Sequence, residues 1–272
     1  MYAIRNISAI IAVLLLVVCC STAAEAASYE LSATVKRSFD TMSAAAGGTL
    51  KTKLNKQYDD WLALQQKDRG RDAEIKELHR ANSETLKLVR RQIMQIDAGQ
   101  NARLKQQVDD TKARYKPLLD MYTSVNKQIA AAKPLQIKTL NTMLRLQADS
   151  LRIPVQLAKQ DIKAKESALK TAKSGTTDKQ RKVRETLKEI DPLQEKMKAE
   201  KSAASEAKKL LEAEWKAFAP LVKQGDADSS TKSLAVLLSR LNQIVDRKTN
   251  QYDLEKRISA VIAKARKQLP PS

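Results

Sequence analysis

The sequence predicts an all-α protein, an elongated antiparallel bundle of long amphipathic, coiled-coil-like helices. Three observations carry this. Ala, Leu, Lys, Gln, Glu and Arg dominate, and these are the strongest helix formers. Only 6 Gly and 4% aromatic residues in 272 argue against a sandwich, a barrel or a doubly wound sheet. Apolar residues also recur every 3.5 residues over long stretches, the period of a coiled-coil or bundle seam. A hydrophobic fraction of 42% suffices for a core, so wholesale disorder is excluded.

The chain opens with a segment read as an export signal. Arg5 stands alone in Met1–Asn6, fourteen mainly apolar residues follow from Ile7 to Cys20, and small residues run to Ala27. Fourteen helical residues rise about 21 Å, short of the roughly 30 Å needed to cross a bilayer. Cleavage is expected after Ala26, giving a signal peptide at 1–26 and one elongated bundle over 27–272. Candidate sub-breaks lie near 97–99 and 174–178. Cys19 and Cys20 read as apolar residues of the signal, and a lipid anchor at Cys20 is the alternative. Two Cys and one His exclude a disulfide framework and any site needing two imidazoles.

Turn residues then divide the chain into helices at 29–46, 49–97, 100–132, 134–173, 178–223 and 229–268. Gly47-Gly48 separates the first two, and Asp97-Ala98-Gly99 reads as a cap and turn. Lys133-Pro134 ends one helix and opens the next. Ser174-Gly175-Thr176-Thr177-Asp178 and Gly225–Ser230 read as further turns. The clearest stripe is Leu104, Val108, Thr111, Tyr115, Leu118, Tyr122, Val125, Ile129 and Ala132. The next helix is given Ile137, Leu140, Leu144, Gln147, Leu151, Pro154 and Ala158, then Ile162 and Leu169. A further stripe runs from Val183 through Ile190, Met197, Leu211, Trp215 and Phe218 to Val222. Trp61 and Trp215 are expected as core anchors. Pro117, Pro154 and Pro192 fall inside proposed helices, where each removes a backbone hydrogen bond and either kinks its helix or splits it.

The charge of +19 is uneven. Residues 159–188 hold ten basic and four acidic side chains, whereas 189–231 hold seven and nine. The block is Lys159, Lys163, Lys165, Lys170, Lys173, Lys179, Arg181, Lys182, Arg184 and Lys188. With a turn at 174–178, both arms of a hairpin are basic at its tip. Like charge so concentrated repels itself unless anions neutralise it. The block has no aromatic residue for base stacking, which disfavours nucleic acid.

Catalytic signals are lacking. His79 reads as a boundary residue beside an apolar stripe. No HExxH, GxSxG or Walker loop occurs. Asp59-Asp60 and Asp109-Asp110 point about 100° apart on a helix, so neither pair shares a site. No catalytic residue, cofactor or metal ligand is therefore expected. The expected function is that of an exported, non-catalytic envelope protein whose basic helix faces bind anionic envelope polymers or lipid headgroups. Alternatives are an extracytoplasmic holdase chaperone and a helical secreted toxin component, the latter lacking an insertion segment. The seams also permit a homo-oligomer.

Overall fold

A computed structural model describes residues 29–270. The expected signal segment, with Cys19 and Cys20, lies outside the described residues. Among those described, six α-helices and one 3-10 turn account for nearly all of the chain, and no strand occurs. The helices are α1 (Ala33–Ala45), α2 (Gly48–Gln95), α3 (Ala98–Ala132), α4 (Lys138–Lys188), α5 (Asp191–Gln224) and α6 (Ala227–Lys267). The all-α helical bundle is as the sequence predicts. No described helix is long and apolar enough to cross a membrane.

Two boundaries differ from the sequence reading, each for a physical reason. The turn expected at Ser174–Asp178 is interior helix of α4. Thr176 falls on the buried stripe, and the hydroxyls of Thr176 and Thr177 each lie 3.0 Å from the carbonyl one turn back. The polar side chains that suggested a loop are thus satisfied within the helix. The break comes instead at Glu189-Ile190, whose N–H groups bond three residues back to Thr186 and Leu187. Pro192 is then the second residue of α5, where it needs no helical hydrogen bond, so it starts a helix and kinks none. Pro117, Pro154 and Pro220 do lie inside helices.

The chain divides into two compact units. The first comprises residues 29–77 and 197–253, and is built on aromatic packing. Phe39, Met42, Leu54, Trp61, Leu211, Phe218, Leu234 and Leu237 form its core. Trp61 and Trp215 stack with ring centroids 5.3 Å apart, and Tyr29 meets both edge-on. The Tyr29 carbonyl accepts from Gln65 Nε2 at 2.8 Å and Trp61 Nε1 at 3.3 Å, which ties the start of the described chain to α2. Burial, reinforced by the Glu212 carboxylate 3.3 Å away, pushes the Tyr29 phenol far above its ordinary pKa. Nearby, Lys248 bridges Asp68 and Asp72, each at 2.7 Å.

The second unit comprises residues 78–196 and 254–270. Val89, Ile93, Val183, Ile190, Ile258 and Ile262 are among its buried residues. One charge is buried here: Glu255 is 3% exposed. Its carboxylate accepts from Asn82 Nδ2 at 2.8 Å and pairs with His79 Nδ1 at 2.7 Å. His79 is thus the boundary residue expected, with the added task of covering a buried carboxylate. The same unit contains the α3–α4 hairpin.

Candidate anion-binding hairpin

The hairpin is built from two narrow stripes. On α3, all nine seam positions expected from Leu104 to Ala132 are buried or half-buried, and nearly all intervening residues are exposed. A stripe this narrow fits one partner helix. That partner is α4, antiparallel and in one register throughout. At the base, Lys179 Nζ lies 2.9 Å from Asp97 Oδ2, and Asn101 Nδ2 donates to Thr176 Oγ1 at 2.9 Å. Midway, Lys112 Nζ meets Glu166 Oε1 at 2.5 Å. At the tip, Asn141 Nδ2 donates to the carbonyls of Ala132 at 3.3 Å and Ile137 at 3.2 Å. The turn between is a 3-10 segment, Lys133–Leu135, followed by Gln136 in the left-handed region at φ 52°.

The α4 stripe is the expected one at Leu144, Leu151, Ala158, Ile162 and Leu169, and differs at Ile137, Leu140, Gln147 and Pro154. Its buried side runs Leu144, Ala148, Leu151, Val155, Ala158 and Ile162. Gln147 and Pro154 are exposed, as are Ile137 and Leu140. Within the seam, Ala148 and Val155 take the places expected of Gln147 and Pro154, so a polar side chain and a proline give way to apolar neighbours. The α3 seam carries Tyr115 and Tyr122, and bulky rings accept small neighbours across a seam. Val155 shares a cavity wall with Tyr122. Pro154 is thereby turned to solvent, where its missing N–H costs least.

Every residue of the expected basic block lies on α4, and no second basic arm faces it across a turn at 174–178. Lys179 is held by Asp97, whose carboxyl it keeps below the usual carboxylate range, with a further hydrogen bond from Thr176. Arg181 reaches Asp178 and Glu185 on its own helix, and Arg184 reaches Gln180. Lys165, Lys182 and Lys188 are exposed at other angles around α4. Lys159, Lys163, Lys170 and Lys173 share one side, and that side continues toward the tip through Arg152, Arg145 and Lys138. Spacings of seven, four and three residues place them in one row between the seam and the outer surface.

Two depressions lie along this row. One, of about 310 Å³, is lined by Arg152, Lys159 and Lys163 with Tyr122, Val155, Gln156 and Gln160. The other, of about 500 Å³ at the tip, is lined by Lys133, Lys138 and Arg145 with Gln136, Asn141 and Thr142. No carboxylate lines either one. Lys133, Lys138, Arg145 and Arg152 lie outside the block recognised in the sequence. Their signal was the seven-residue interval from Lys138 to Lys159, diluted by the uncharged residues and the one acid, Asp149, between.

The chemistry on offer is anion contact through several exposed cations. Among the described residues, no three His, Cys, Asp or Glu side chains are grouped as a metal site would require. No family model, curated protein or solved structure matches the chain.

Proposed function

We propose that the chain is an exported, non-catalytic protein of the cell envelope that holds anionic envelope material, polymer or membrane surface, on the cationic side of the α3–α4 hairpin. The observation supporting this reading is the row of cations from Lys138 to Lys173, with two depressions on it that contain no carboxylate. Several surface cations elsewhere are paired within their helix, as Lys56 with Asp60, Lys105 with Asp109 and Lys116 with Asp120. None of Lys138, Arg145, Arg152, Lys159 and Lys163 has such a partner. Each contact to an anion in water is weak and screened by salt, so holding comes from their number.

Co-sedimentation with dextran sulfate beads and with isolated envelope, at low and high salt, tests the reading. Binding should fall about tenfold or more as the Debye length shrinks from roughly 30 Å to 8 Å. The variant Arg145→Glu, Arg152→Glu, Lys159→Glu should bind neither material. Retention that ignores both salt and the variant refutes the proposal.

A further inference from the structure

Beside the row of cations runs a second line, of a different chemistry. Met143, Leu146, Ile153 and Leu157 are 70%, 65%, 64% and 60% exposed. Their spacings of three, seven and four residues place them along one side of α4, opposite the Leu144–Ala158 seam. Leu135 and Ile137 extend the exposed apolar surface around the tip. Exposed apolar residues elsewhere, such as Leu62 and Leu210, occur singly. Single exposed apolar residues are ordinary, whereas a continuous line signals a partner.

We infer that this face of α4 and the hairpin tip lie in the surface of an anionic lipid bilayer. Met143, Leu146, Ile153 and Leu157 enter the boundary between headgroups and acyl chains, and Lys138, Arg145, Arg152 and Lys159 hold lipid phosphates. The inference rests on the anionic-surface reading above and names the surface. Charge selects the occupant. Between residues 133 and 160 stand five cations and one carboxylate, Asp149. A second copy of the chain on this face would bring another cationic row against this one. A soluble polyanion would satisfy the cations and leave the apolar line in water. A bilayer with anionic headgroups satisfies both, in the manner of interfacial amphipathic helices. The helix lies along the surface and does not span it.

The test uses the full chain and vesicles of phosphatidylcholine with and without phosphatidylglycerol. Leu146→Trp places a fluorophore on the line, while Trp61 and Trp215 remain packed in the first unit as spectators. Brominated acyl chains should quench the new emission only when phosphatidylglycerol is present. This reporter is local, so membrane affinity elsewhere in the chain does not register. The variant Met143→Ser, Leu146→Ser, Ile153→Ser, Leu157→Ser alters exposed positions only and should keep its helical circular dichroism. It should lose about tenfold or more in vesicle affinity and keep its hold on dextran sulfate.

Unquenched emission, or vesicle binding unchanged in the serine variant, overturns the inference. So does light scattering that shows a dimer broken by the serine variant, which would make a second copy the occupant. A parent chain that binds dextran sulfate but no vesicle overturns the lipid assignment and leaves the broader reading standing. Failure to bind either probe overturns both.

Discussion

Asp97 sits at φ 54° and ψ 15°, in the left-handed region, at the corner between α2 and α3. That conformation costs an L-residue about 1–2 kcal/mol, and Asp tolerates it better than most. Its side chain is also bound by Lys179 and Thr176. Asp97→Gly should therefore be more stable than Asp97→Ala by about 1 kcal/mol in urea unfolding. Because the folded carboxyl is held below its ordinary value, its stabilisation is complete above pH about 4 and fades as the pH falls through the lowered value. The deficit of Asp97→Asn against the parent should accordingly be largest at neutral pH and shrink in acid. Asn82 is a second sensitive position, donating at 2.8 Å to the buried Glu255 carboxylate and at 2.9 Å to its carbonyl. Asn82→Ala should cost about 1–3 kcal/mol, read from the same unfolding curves. Neither position stood out in the sequence. Asp97 read as a cap, and the acceptor for Asn82 lies 173 residues away.

Helices with one narrow apolar stripe and large residues were legible, as α3 shows from Leu104 to Ala132. Trp61 was equally legible as a core anchor, whereas Trp215 is half-buried and packs against that core. Trp61→Ala in the core of the first unit should cost about 3–5 kcal/mol. α4 was legible in part: Leu144, Leu151, Ala158 and Ile162 stand on its seam as expected, but strict steps of three and four took in Gln147 and Pro154 instead of Ala148 and Val155. The Ser174–Asp178 segment failed for another reason. Turn composition is a local preference, and here the position of Thr176 on the seam overrides it. Gly175 is consequently an ordinary interior helical glycine, exposed, with nothing within 4 Å of an added Cβ. Gly175→Ala should raise stability by about 0.5–1 kcal/mol in thermal unfolding, a gain that a turn at this site would not give.

A chain of net charge +19 has two opposite responses to salt. Screening relieves repulsion among its own cations and should raise the melting temperature when salt is added at low ionic strength. The same screening should weaken its hold on anionic material. A melting temperature that rises while binding falls would identify both effects as electrostatic. The basic excess was legible from composition. Its alignment into one row was carried by the seven-residue interval from Lys138 to Lys159, which counting charge in blocks conceals because it ignores direction around a helix. That row also has a consequence for proteolysis. Lys138, Arg145, Arg152 and Lys159 are successive trypsin sites spaced about 10 Å apart on a single helix, and a helix must unwind locally before a protease can cut it. The order of cleavage, read by mass spectrometry, would map how opening spreads from the tip toward the base. Lys133 supplies an internal blank, since the proline after it blocks the cut, and an occupied surface should silence the rest.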